Sequence, residues 1–350
     1  MSETQLKTAL VESAKEDRDK QTRAYWIRAG LALLALVIVA VLINVAAHGA
    51  FLQPSNILRV LRQITYGCIM GIGETFVIIT SGIDLSIGSL VALSGVVMAL
   101  FANSLQVHGF ALIALTLLVG LAVGAGAGFV NALPVVKLNL PPFITTLAMM
   151  QVALGLSYIL SGGRPVALTS GDFQNTGLGL FLGNVTHAMR LPGIPIPVIW
   201  MIVVIVVCSV LLMRTRFGRY VFAIGGNEEA ARLAGVDVAR VKTLVYVISG
   251  MCAAVVGFLY MSLFSSGSPQ TGTGDEMLEA IAAVVVGGTS LMGGRGTIVG
   301  TFFGALLIGL LYNAMNLLGI DSYLQKVVLG AVILLAVVLD ELRKRYLKRQ

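Results

Sequence analysis

The chain holds 350 residues, of which 57% are hydrophobic and 12% are charged, and its mean hydropathy is +0.91. Charge at about half the ~25% usual for soluble proteins, with apolar runs of about the ~20 residues that span a bilayer, excludes a soluble globular protein. The pattern predicts an all-α, polytopic transmembrane helical bundle, since a membrane β-barrel would show ~10-residue alternating segments. The net charge of +7 is informative through its placement along the chain and does not point to nucleic acid. Cys68, Cys208 and Cys252 all fall in apolar runs without metal-ligand spacing and read as buried small hydrophobes. His48, His108 and His187 are scattered near run ends or in a loop.

Residues 1–26 are polar and mixed in charge, a cytoplasmic N-terminal tail. The run at 27–47 exceeds the ~7–15 apolar residues of a secretory signal and reads as an uncleaved span, with cleavage after Val45-Ala46-Ala47 as the alternative. Further runs fall near 57–80, 84–103, 110–133, 143–160, 194–213, 243–264, 278–292, 297–318 and 323–340, giving about ten spans within a membrane domain at 27–341. The 278–292 run is short and rich in glycine, as a tilted, broken or re-entrant helix would be. A basic cytoplasmic tail closes the chain at 342–350. With both ends inside, 19 of the 24 lysines and arginines face the cytoplasm, which the positive-inside rule favours. The loop at 161–193 is then external and the polar connection at 214–242 internal. Gly120, Gly124 and Gly128, and again Gly300 and Gly304, recur every four residues, the stripe that lets helix backbones approach in lipid. Packing inside the bundle is the preferred reading of both stripes over a dimer face.

SGIDLSIGS at 81–89 places a carboxylate between two apolar runs. At the centre of a lipid-facing helix Asp84 would cost ~2.5–3.5 kcal/mol. Gly82 can break the preceding helix, and Asp84 or Ser86 can cap the next one. The two readings, a cap at a helix junction and a broken helix lining a solute pathway or its gate with Asp84, Ser86, Gly82, Gly88 and Glu74, are compatible. On one continuous helix Glu74 would stand ~15 Å of rise from Asp84, so the two are not an obvious proton-sharing pair.

In the internal connection, Gly225-Gly226 reads as a chain break and Asn227 as an N-cap. Glu228 and Glu229 occupy a first turn, and a short helix runs from Glu228 to Ala234 with Gly235 as its stop. Asp237 can cap the following span. Such a helix is either an ordinary solvated loop or a grip for a docking partner through Gly226, Asn227, Glu228, Glu229 and Arg232. The stretch 278–300 reads as a membrane hairpin or broken helix. Its GGRGT string lacks the lysine of a phosphate loop, and GxxxxGK[ST] occurs nowhere in the chain. Without that motif, HExxH or a GxSxG elbow, an enzyme is poorly supported.

NILRVLRQ (56–63), TFVIITSGIDLSIGSLVAL (75–93), PPFITTLAMM (141–150), SGGRPV (161–166), TRFGRYVFAIGGNEEAARLAGV (215–236) and EAIAAVVVGGTSLMGGRGTIVGT (279–301) follow one another in the chain. In that order, and with the final Leu339-Asp340, they resemble the permease subunits of bacterial ABC importers for simple sugars, the ribose, galactose, xylose and autoinducer-2 group. The resemblance implies a multi-pass inner-membrane permease that works as a dimer, with a second copy or a paralogue. It implies a periplasmic sugar-binding protein outside and an ATPase subunit inside, so that no cofactor is held by this chain and ATP is bound by the partner. The helix after Asn227 then looks like the coupling helix. The chain departs from the group where many members read GxELDAIAA and this one carries Gly274-Asp275-Glu276-Met277-Leu278-Glu279 before its AIAA, and at Glu74, often neutral in relatives. The alternative from the residues alone is an ion-coupled secondary transporter of a small polar solute.

Overall fold

Apolar segments of bilayer length must satisfy their own backbone, and helices do so. The computed structural model of the chain describes residues 41–169 and 195–347. The tail at 1–26, most of the first run and the greater part of the 161–193 loop lie outside them. Eleven helices are described by range: α1 Pro54–Ile79, α2 Ile87–Ser104, α3 Phe110–Lys137, α4 Pro142–Ser161, α5 Ile196–Arg214, α6 Arg216–Gly226, α7 Glu228–Leu233, α8 Val238–Phe264, α9 Glu276–Val286, α10 Ile298–Leu317 and α11 Ser322–Leu347. Residues 41–46 are helical as well. The strands are two residues each, β1 Val166–Ala167 and β2 Ser266–Gly267, paired antiparallel.

Six of these helices, α2, α3, α4, α5, α8 and α10, are long and apolar enough to cross a membrane. The chain is a polytopic helical membrane protein; about ten spans remains an expectation. Two expected spans differ in kind. The run at 278–292 is helical only as the 11 residues of α9 and then turns at Gly287 and Gly288, which fits its short, broken character. The last run continues as helix to Leu347, past the expected start of the tail, because ELRKRYL has helix-forming residues and no glycine or proline to stop it.

The chain falls into two units. In the smaller, residues 41–57 with Asn313–Ile320, a turn with His48 and Gly49 at positive φ follows the first helical residues. The buried amides of Asn56 and Asn313 each donate to the other, at 2.7 and 3.0 Å, so neither is left unpaired. In the larger, residues 58–312 with 321–347, α8 is the hub. Its apolar window is 72% buried, as is that of α2, against 28% for α3 and 22% for α4 and α5. The most apolar helix, α5, therefore presents Ile202, Val203, Val206, Val207 and Val210 outward, as a lipid-facing helix does.

The glycine stripe decides how α3 meets α8. A methyl on Gly124 would lie 2.8 Å from the Gly250 carbonyl carbon, and one on Gly128 would lie 2.8 Å from that of Tyr246. Both are nearer than real side chains come, so only glycine admits this backbone approach. Gly304 lies equally close to Ala283 and Gly287. Both stripes serve internal packing, as expected. Cys68, Cys208 and Cys252 are free and buried.

Candidate functional site

The break before Asp84 is a C-terminal helix cap followed by an extended step. The Gly82 amide donates to the Val77 carbonyl at 3.0 Å and the Ser81 amide to that of Ile78 at 2.9 Å, the paired bonds of a Schellman motif. The left-handed residue that this motif requires is Ser81, with φ +61°, and not Gly82 as the sequence suggests. Gly82 is needed for space instead: a methyl there would lie 2.9 Å from the Tyr246 hydroxyl. The Ser81 hydroxyl donates to the Met292 carbonyl at 2.9 Å. The Ile79 carbonyl, orphaned at the helix end, accepts the Gly294 amide at 2.9 Å. The glycine-rich turn after α9 thus caps α1.

Beyond the break the chain buries Asp84 completely. Its Oδ1 accepts the Ser86 amide at 3.0 Å, the Ser86 hydroxyl at 2.5 Å and the Asn131 amide at 3.2 Å. Its Oδ2 accepts the Ser249 hydroxyl at 2.8 Å. Asn131 also donates to Ser86 Oγ at 3.0 Å. Of the two expected caps, Asp84 is the one that acts, on the Ser86 amide at the start of α2; Ser86 is the N-cap residue without a side-chain cap bond. Thr146 Oγ1 ties the Ile83 carbonyl at 3.0 Å. Helices α2, α3, α4 and α8 all send a polar group or a hydroxyl to one seven-residue break. A carboxylate with four donors is held far more firmly than one with none.

Glu74 is also fully buried. Because the chain turns back at Ser81, its Oε2 accepts the Asp84 amide at 3.4 Å. The distance expected along one continuous helix does not apply once that helix ends at Ile79. Glu74 Oε1 has no partner among the described residues. Gly88 belongs to the same region as a spacer, since its missing side chain admits the Gly272 backbone.

In the connection at 214–242, Asn227 is the cap of α7, its Oδ1 accepting the Ala230 amide at 2.9 Å, and Asp237 caps α8 through the Arg240 amide at 2.9 Å. Glu228 and Glu229 lie in the first turn. Gly235, at φ +84°, is the stop. The expected break at Gly225-Gly226 is absent: α6 runs through both, and the turn is made by Asn227 in extended conformation. Glu228 pairs with Arg232 at 3.1 Å and with Lys242 at 2.6 Å, tying the short helix to the start of α8. Leu233 is 86% exposed at its tip, an apolar side chain without cover among the described residues.

The two regions meet through backbone. A methyl on Gly225 would lie 2.5 Å from the Gly294 nitrogen and 2.9 Å from the Ile79 carbonyl carbon, and closer still to that carbonyl's oxygen. A methyl on Gly226 would meet nothing within 4 Å. The end of α1, the end of α6 and the turn at 293–294 form one three-way junction, with Gly225 three residues before α7 and Ile79 directly before the break that buries Asp84. The sequence points to Asp84, Ser86, Gly82 and Glu74 but not to Asn131, Ser249 and Thr146. The signal available was small: Asn131 is the one amide in the 110–133 run.

A protein-family model described as branched-chain amino acid transport system / permease component matches residues 56–337. Among curated proteins, the ribose import permease protein RbsC of Bacillus subtilis (strain 168) is 44% identical over 312 residues, covering 89% of this chain and 91% of that one. RbsC of Escherichia coli (strain K12) is 41% identical, covering 90% and 94%. The D-allose transport system permease protein AlsC of the same strain is 34% identical, covering 96% and 98%. No solved structure gives a significant match. The chain belongs to this family of transport-system permeases, as a multi-pass protein of the bacterial inner membrane, and its relatives include sugar import permeases across nearly their full length.

Proposed function

We propose that the chain is the permease subunit of an ATP-driven ABC importer that carries a monosaccharide, or a similar small polyhydroxylated solute, into the cell. The observation that carries this reading is the likeness over about nine-tenths of the chain to permeases named for ribose import, with a D-allose permease close behind. One relative is a pentose permease and another a hexose permease, so the class is the simple sugar. ATP is bound and hydrolysed by a separate ATPase subunit, a periplasmic binding protein delivers the sugar, and a second copy or a paralogue completes the pathway within the lipid.

The mechanism follows from the junction. The partner ATPase grips α7 through Asn227, Glu228, Glu229 and Arg232, with exposed Leu233 as the apolar anchor. Movement of α7 reaches Gly225 through the last turn of α6. Gly225 bears on Ile79 and Gly294, so the load arrives at the strained residue Ser81 and at the Asp84 break. Asp84, Ser86, Gly82 and Glu74 act there as a gate hinge, and Gly88 keeps the 272 turn seated on α2. Nucleotide binding shifts the equilibrium between two conformations only by its different affinity for them, and a packed backbone junction transmits that difference because it has discrete arrangements.

The test is uptake of radiolabelled ribose or allose in membrane vesicles holding the permease, its ATPase and its binding protein. Changing the partner's catalytic carboxylate is expected to abolish uptake while an ionophore leaves it intact. Uptake that collapses with the ionophore and survives the ATPase change would establish ion coupling instead.

A further inference from the structure

A cavity of about 750 Å³ lies at the other end of α1 from the Gly225 junction, within the 300–1,000 Å³ range of small-molecule sites. Tyr66 to Ile79 spans ~20 Å of helical rise. The internal connection carries a dense basic cluster and marks the inner side, which puts the cavity at the outer end. The same end carries the β1–β2 pair and the loop at 162–169.

Its walls are chemically mixed. Gln63 and Tyr66 come from α1, Tyr260 from α8, and Asp275, Glu276 and Glu279 from the start of α9. The rings of Tyr66 and Tyr260 stack with centroids 4.2 Å apart and planes 10° apart, a rigid aromatic wall. Asp275 is engaged by Lys326 at 2.7 Å, and Glu276 accepts the Gly274 amide at 3.1 Å. Tyr66 is only 6% exposed, and its hydroxyl has no partner among the described residues. A buried phenol left unpaired is costly; Tyr66 lines the cavity, so a solute entering there is a ready source of the missing partner. Arg59 and Arg62 line it too, and with Lys326 on Asp275 three cations stand against the three carboxylates. That balance suits an uncharged solute with several hydroxyls better than an anion or a cation. Carboxylates accept from vicinal hydroxyls, guanidiniums donate to ring and hydroxyl oxygens, and the apolar C–H side of a sugar ring lies against aromatic surface.

We infer that this outer cavity is where the permease receives its solute, a neutral monosaccharide held by Tyr66, Gln63, Glu276 and Glu279 before the gate at Asp84. The inference rests on the sugar-import reading and adds a receiving site to it. The site binds weakly, since it must accept the sugar from a binding protein and release it inward.

The test uses the full chain in lipid nanodiscs with Leu263→Cys, an exposed cavity-lining position outside the proposed sugar contacts, and follows maleimide labelling in the presence of D-ribose, D-allose or leucine. Labelling is expected to slow severalfold with at least one of the two sugars and not with leucine. Adding Tyr66→Phe, which keeps the ring stack, or Glu279→Gln weakens that protection by roughly three- to tenfold, the worth of one hydrogen bond. The same variants are expected to raise the KM of uptake by a larger factor than they lower its maximal rate. Unchanged labelling with both sugars, in a chain whose assembled transporter imports one of them, overturns the receiving site and leaves sugar import standing. Protection by leucine in place of the sugars overturns both.

Discussion

Gly225→Ala isolates the junction between the docking segment and the gate. The added methyl would stand 2.5 Å from the Gly294 nitrogen and 2.9 Å from the Ile79 carbonyl carbon, where only backbone can yield. Overpacking of this kind costs ~1–3 kcal/mol. Parting Gly294 from Ile79 loses a hydrogen bond of about 1 kcal/mol. Alanine returns about 1 kcal/mol of helix propensity. The net is about 1–3 kcal/mol, which at the junction corresponds to a roughly 5- to 150-fold change in coupling. The assay is sugar uptake per ATP hydrolysed in reconstituted vesicles, with Gly126→Ala, in α3 and away from the docking segment, as the control because a methyl there meets nothing within 4 Å. Gly225→Ala is expected to assemble and hydrolyse ATP while uptake per ATP falls at least severalfold, and Gly126→Ala is expected to match the parent. Equal coupling in both variants would refute transmission through this contact.

Asp84→Asn keeps most of the geometry, since the new amide can donate to Ser249, so it is expected to assemble while uptake is lost; detergent-extracted complex and transport are read side by side. Ser249→Ala removes the donor described for Asp84 Oδ2 and is expected to lower thermal stability by about 1–3 kcal/mol, measured by the midpoint of a thermofluor melt. Leu233→Asp changes a side chain 86% exposed and should leave the melt unchanged while abolishing co-purification with the ATPase. Retained co-purification would remove α7 from the docking surface. Glu228→Gln weakens two partly exposed ion pairs, and its effect on stability should stay within ~1 kcal/mol.

Much of the inner segment is legible because its signals are local. Asn227, the two glutamates behind it, Gly235 and Asp237 each act within four residues of chain, and each stands where capping chemistry puts it. Gly225 misleads for the same reason: a glycine pair reads locally as a break, whereas its purpose is contact with Ile79 and Gly294, which lie at distant places in the chain. Asp84 announces itself by the cost of a carboxylate in an apolar stretch. Its donors Asn131 and Ser249 do not, since an amide or hydroxyl inside a membrane helix is inexpensive enough to pass unremarked. The ~15 Å between Glu74 and Asp84 does not hold because rise per residue applies only while the helix continues, and the stop is carried by Ser81, a residue with no strong preference for the left-handed region. The outer cavity is invisible in sequence, since Tyr66 and Tyr260 lie on separate helices and only packing of α1 against α8 stacks their rings.

The measurement that bears most directly on the whole account is solute accumulation in proteoliposomes of defined composition. The permease alone, with or without an imposed ion gradient, is predicted to accumulate no monosaccharide. Adding the ATPase, ATP and the sugar-loaded binding protein on their proper sides is predicted to drive accumulation above the external concentration. Uphill accumulation by the permease alone would contradict the account.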